Sequence, residues 1–300
     1  MTVRLSTVIL PHQRWHEGAR ETWQRAEALG FHAAYTYDHL SWRSFRDRPW
    51  FGAVPTLSAA ATATERIRLG TLVTSPNFRH PVPLAKELIT LDDLSSGRLV
   101  LGIGSGGTGF DATALGQEPW TAPERADRFE EFVHLLDRLL ISPEDASSDG
   151  PHYSAHQVRN LPGCVQQPRV PFAVAAIGPR AMRVAARYGQ AWVTFGDPDV
   201  PEGETRRSRD ALRRQLHRLD RAGTAEGRRV EERILLFGNT GADGPLQSVD
   251  AFVDFAGAHR DLGFTEIVVH WPIADSIFAT DQATFERIAL EAPAQLRGDR

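Results

Sequence analysis

Short apolar runs and longer amphipathic stretches alternate along most of the chain. The first run covers residues 3–9. Residues 16–29 follow, with Trp23, Ala26 and Leu29 at helical spacing. Gly30-Phe31 ends that stretch in the way a helix-terminating glycine does. The pattern then predicts a strand at 33–37, a helix at 55–64, a strand at 67–73 and a helix at 84–94 closed by Ser95-Ser96-Gly97. A strand at 98–103 and a long helix at 124–141 come next, the latter with Phe129, Phe132, Leu135, Leu136 and Leu139 on one face. Residues 142–168 break the rhythm with Ser, Asp, Gly and Pro, although His152-Tyr153 and Val158 fit a small hairpin. Strands are expected again at 170–176, 191–195, 234–237 and 266–270. Helices are expected at 178–188, 202–222, 249–262 and 281–291.

Eight strands alternating with helices argue for parallel strand–helix–strand units, and eight in one chain favour a closed (β/α)8 TIM barrel over an open sheet. The expectation is one barrel domain over residues 1–300, with 142–168 as an insertion after the fourth strand–helix unit. A length of 300 residues suits such a barrel.

Composition narrows the function classes. The net charge of −4 carries no nucleic-acid footprint. No apolar run approaches the ~20 residues of a membrane span. The N-terminus lacks a basic segment followed by an apolar stretch, so a cytoplasmic location is expected. Cys164 is the only cysteine, which excludes an internal disulfide and a cysteine-based metal cluster. The pairs His12/His16 and His152/His156 have i, i+4 spacing but no third ligand, so no metal site is expected. Lys86 is the only lysine and falls inside a helix, which disfavours Schiff-base chemistry.

In a barrel of this kind, polar residues just after the strands are the catalytic candidates. Four segments meet that criterion. Asp38-His39 follows the second strand, with Trp42 as a flat apolar wall; histidine is the side chain whose proton is most easily used near neutral pH. The same spacing equally fits a helix-capping aspartate and a surface histidine. Thr74-Ser75-Pro76 follows the third strand, and an ordinary polar loop reads the same way. Gly102-Ile103-Gly104-Ser105-Gly106-Gly107 follows the fourth and formally matches a dinucleotide fingerprint. No helix opens at once and no strand-end acid appears about 20 residues later, so that reading fails. The glycines instead let a planar group approach the backbone. Ala176-Ile177-Gly178-Pro179 follows the fifth strand and starts a helix, whose free N–H groups suit a phosphate, with Arg180 and Arg183 nearby. A planar-ligand floor, a phosphate turn and an acid–base histidine together describe a cofactor enzyme.

These segments resemble the bacterial-luciferase-like superfamily, and most closely its branch that uses the deazaflavin coenzyme F420. The resembling stretches are Tyr37-Asp38-His39, Arg66 through Thr74, Leu91 through Leu99, Gly102 through Gly106, and Ala175 through Pro179. The resemblance implies hydride transfer to or from a small organic substrate, with His39 as proton donor and Asp38 touching the deazaflavin. It implies a cis Leu72–Val73 peptide behind the ring. Thr74, Ser75, Gly104, Ser105 and Gly106 would lie along the ring or its ribityl chain, and Ala176, Ile177, Gly178 and Pro179 at the phosphate. The sugar-phosphate dehydrogenases of that branch carry a glutamate where this chain has Gly107 and an asparagine where it has Phe110. Phe110 and Trp42 therefore point to a more apolar substrate, with strands six to eight and the insertion as walls of its pocket. An FMN-dependent monooxygenase and a non-catalytic flavin-binding relative are the alternatives. Apolar faces on the helices at 55–64 and 84–94 allow a homodimer.

Overall fold

The computed structural model describes residues 2–142, 144, 146–197, 199–200, 205–238 and 244–297. Among them, eight parallel strands close a barrel. In chain order these are β1 (Arg4–Val8), β2 (Ala33–Thr36), β3 (Arg68–Thr74), β4 (Leu99–Gly104), β7 (Phe172–Ala175), β8 (Ala191–Thr194), β9 (Glu232–Leu236) and β10 (Glu266–His270). The seam runs between β1 and β10, from Arg4 opposite Glu266 to Val8 opposite His270. The helices are α1 (Ala19–Ala28), α2 (Ala53–Ala63), α3 (Pro81–Leu94), α4 (Ala122–Ile141), α5 (Pro179–Tyr188), α6 (Thr205–Ala225), α7 (Val249–Leu262) and α8 (Gln282–Arg297). The last strand and α7 fall on their expected residues, and most other ends move by one to three positions. The expected start of α6 at Glu202 lies outside the described residues.

Strand residues alternate between two apolar clusters, as a period of two requires. Val8, Tyr35, Leu72, Val100, Val193 and Val268 fill the barrel interior. Leu5, Leu69, Leu101, Ile103 and Trp192 face outwards and pack on Trp23, Leu57, Leu88 and Phe132 of the helices. The five residues read as the apolar face of α4 are all buried, each contributing roughly 1.5–3 kcal/mol. The start of α4 is set by a capping box: Thr121 Oγ1 accepts from Glu124 N, and Glu124 Oε2 accepts from Thr121 N at 2.8 Å. The insertion does contain a hairpin, β5 (Ala146–Asp149) and β6 (Ser154–Val158). Glu131 on α4 holds it, accepting from His152 N and Tyr153 N.

The stretch from Leu91 to Leu99 serves the end of the barrel where strands begin. Arg98 donates to the carbonyls of Ala61, Thr64, Ile67 and Ser95 and to Thr64 Oγ1. One guanidinium thus ties the ends of α2 and α3 to the starts of β3 and β4.

Candidate active site

A cavity of about 760 Å³ opens at the C-terminal ends of the strands. It is lined by His39, Trp42, Val73, Ser75, Gly104, Ser105, Gly106 and the run from Ala175 to Ala181. Segments 140 residues apart in sequence therefore meet in one space, as the strand-end criterion anticipates. A second hollow of about 870 Å³ is lined by Leu246, Asp275, Asp281 and their neighbours. It gathers none of the expected residues, and the smaller cavity is the one with chemistry.

The floor comes from β3 and β4. The Leu72–Val73 peptide is cis. The register of β3 against β4 slips there, from Thr71 opposite Leu101 to Thr74 opposite Ile103. Val73 reaches the cavity, while Leu72 and Thr74 are buried and do not line it. A Cβ on Gly104 would stand 3.0 Å from Val73 Cγ2. Gly106 has φ +74°, and a Cβ there would fall 2.4 Å from Asn77 Oδ1. Only glycine fits that close approach in that conformation.

His39 stands at the edge of the floor, 30 % exposed. Its Nδ1 lies 2.5 Å from Asp111 Oδ2. Asp111 is almost fully buried, and its Oδ1 accepts from Leu40 N at 2.9 Å and Ser41 N at 3.4 Å. The short 3-10 turn Phe110–Ala112 delivers this carboxylate. Trp50 Nε1 donates to the His39 carbonyl at 2.8 Å. Tyr37 sets its ring edge-on to both His39 and Trp42.

Inside the barrel, Tyr37 Oη meets His270 Nε2 at 2.7 Å, and His270 Nδ1 meets the Phe237 carbonyl at 3.1 Å. The carbonyl only accepts, so Nδ1 carries the proton and Nε2 accepts from Tyr37. Burial pulls the His270 pKa down to about 3 and pushes Tyr37 up. Phe278 stacks on His270 at 4.0 Å and on Trp42 at 5.7 Å.

Two of the expected residues and the insertion stand outside the cavity lining. Asp38 is buried and does not line the cavity; both its oxygens are held by Arg79, and Thr74 Oγ1 donates to Oδ2 at 2.9 Å. Phe110 lies outside the cavity lining, covered by Arg46 at 4.1 Å from its ring centroid. The insertion adds no lining residue to this cavity, and beyond α5 the lining residue is Phe195.

At the other end of the cavity, α5 begins at Pro179, and no side chain caps it. Its N-terminal groups are therefore open to an anion. Ala176 N is spent on the Val193 carbonyl at 3.2 Å. Arg180 is spent as well: Glu130 takes Nε and Nη2 at 2.8 and 2.7 Å, and Asp127 takes Nη2 at 2.7 Å. Those hydrogen bonds raise the already high Arg180 pKa. Asp111, Asn77, Phe195 and the first turns of α4 were not singled out from the sequence. For Asp111 the available signal was a polar residue within the loop after a strand.

A closed parallel barrel with a mostly apolar cavity at its strand ends is the architecture of a ligand-binding or catalytic barrel. The chain belongs to the luciferase-like monooxygenase family, whose model matches residues 5–231. An F420-dependent glucose-6-phosphate dehydrogenase of Beutenbergia cavernae is 32% identical over 319 residues, covering 91% of both chains. Another, of Microbacterium testaceum, is 33% identical over 195 residues, or 62% of this chain and 54% of that protein, so the chain spans about half of that relative's length. A 4-hydroxyprotoasukamycin monooxygenase of Streptomyces nodosus subsp. asukaensis is 31% identical over 66% of this chain and 52% of that protein. The fold is shared with a coenzyme F420 dependent tetrahydromethanopterin reductase of Methanopyrus kandleri, at TM-score 0.76 and 16% identity over 99% of this chain and 100% of that one.

Proposed function

We propose that this chain is an F420-dependent oxidoreductase, working as a reductase of a small organic substrate with His39 as proton donor. The carrying observation is that His39, Val73, Gly104 to Gly106 and Ile177-Gly178 all line one cavity. The names of relatives such as the Beutenbergia cavernae enzyme support the cofactor.

The cavity suits the deazaflavin by shape and by donor set. The cradle at Gly104 and Gly106 would be filled by any side chain. A planar ring can lie there against Val73, with Ser75 and Ser105 along the ribityl chain. The uncapped start of α5 offers Ile177 and Gly178 N–H groups to the phosphate. Bound there in its reduced form, F420 would supply a hydride from C5 and would not activate oxygen as a flavin does. His39 moves the balancing proton through Nε2, the nitrogen left free by Asp111. Trp42, Val73 and Phe129 give that space apolar walls.

The substrate is read as more apolar than a sugar phosphate. Trp42, Phe129, Ile177 and Phe195 line the cavity, and Arg180 is already matched by two carboxylates. Residues 1–300 are read as one barrel domain with 142–168 as its insertion. A second reading, an FMN-dependent monooxygenase, has the 4-hydroxyprotoasukamycin monooxygenase in its favour.

Titration of the purified chain with F420 and with FMN, followed by cofactor fluorescence, decides between them. Saturable F420 binding, followed by oxidation of reduced F420 without oxygen uptake, is expected. FMN binding with indifference to F420 would falsify the reading, and oxygen consumption with a flavin reductase would establish the second.

A further inference from the structure

We propose that Asp111 is the positioning residue for His39, fixing the proton on Nδ1 so that Nε2 is the nitrogen that works in the cavity. The assignment rests on the reading of His39 as proton donor.

The geometry gives the two carboxylate oxygens different tasks. Oδ1 takes the backbone N–H groups of Leu40 and Ser41, which anchors the carboxylate itself. Oδ2 is then held 2.5 Å from His39 Nδ1. An ionised carboxylate only accepts, so the imidazole must donate from Nδ1. A loop clamp would need Oδ1 alone; the bond from Oδ2 to the ring is additional. Asp111 is itself buried, in the 3-10 turn Phe110–Ala112, and its Oδ1 is taken by two backbone amides. Trp50 holds the His39 backbone carbonyl, and the Tyr37 ring stands edge-on to the imidazole at 5.8 Å.

The consequence is chemical. The bond from Nδ1 to Asp111 is present in both the neutral ring and the imidazolium. Only Nε2 changes between the two, from an acceptor to a donor. His39 can therefore give or take a proton without turning, and the carboxylate steadies the charge in the protonated state.

Replacing Asp111 by Asn tests this with almost no change in shape. Oδ1 keeps the backbone amides, so the new NH2 group faces Nδ1 and donates to it. The proton is then forced onto Nε2, the wrong nitrogen. The tautomer is read directly by long-range 1H–15N NMR of 15N-histidine-labelled protein, with His39→Gln identifying the signals. Cofactor-free wild-type protein is expected to show Nδ1–H at His39, and Asp111→Asn to show Nε2–H. Wild type with Nε2–H, or a variant with the wild-type tautomer, overturns the proposal. The wild-type spectrum alone decides it should the variant not fold. In turnover with reduced F420 and 2-cyclohexen-1-one, Asp111→Asn is expected to lower kcat by about 100-fold or more with KM nearly unchanged. An unchanged kcat overturns the role. Failure of the cofactor reading shows separately, as absent F420 binding, and leaves the tautomer measurement intact.

Discussion

Arg79 grips Asp38 with two nitrogens, Nη2 on Oδ1 at 2.7 Å and Nε on Oδ2 at 3.0 Å. The acid that precedes His39 in sequence is therefore engaged by Arg79, and the acid that meets His39 comes from another loop. Burial works against the Arg79 charge, but the bonds and charge of Asp38 outweigh it and raise its pKa.

Arg79→Ala is expected to cost about 3 kcal/mol of stability, because it leaves a carboxylate buried without its partner. Urea denaturation measures it. A loss below about 1 kcal/mol, the range of exposed pairs, would show that Asp38 finds water or another donor.

Arg98→Lys is expected to cost about 2 kcal/mol while leaving cofactor affinity within twofold. Lysine is a point cation and cannot fork to the five acceptors that Arg98 serves at the ends of α2 and α3. A drop in affinity with unchanged unfolding midpoint would place Arg98 in the wrong role.

His270 makes stability depend on pH. Its folded pKa, about 3, lies below the ordinary 6.5, so the unfolded chain binds the extra proton. The stabilisation is complete above pH 6.5 and is lost as pH falls from 6.5 towards 3, by about 1.4 kcal/mol per unit for one proton. His32, lowered to about 4 chiefly by burial, adds to the slope over pH 6.5 to 4. His270→Gln keeps an acceptor for Tyr37 and should flatten the dependence measured by denaturation from pH 7 to 4.5. An unchanged slope would mean that His270 is protonated in the folded chain.

The barrel was legible because its strands are buried on both faces and its helices on one. That produces short apolar runs separated by residues at helical spacing, and both survive in the sequence without any knowledge of contacts. The glycine floor and the α5 turn were legible for a related reason: backbone conformation there constrains which residues fit. Polar pairing was not legible. Asp111 meets His39 across 72 residues of chain, and Arg180 meets Glu130 across 50. Nothing in the local pattern tells a carboxylate that touches a cofactor, as Asp38 was read, from one that Arg79 has claimed. The place of Phe110 beside Arg46, outside the cavity lining, is hidden for the same reason, since Arg46 lies in a different loop.

The cavity is eccentric. Its lining comes from the loops after β2, β3, β4, β7 and β8 and from the start of α4, while Trp42, Phe278 and His270 form one aromatic stack. Phe278, in the segment after β10, joins that stack without lining the cavity, so it meets the cavity wall through Trp42. A substitution at Phe278 therefore reaches a ligand through the set of the Trp42 ring.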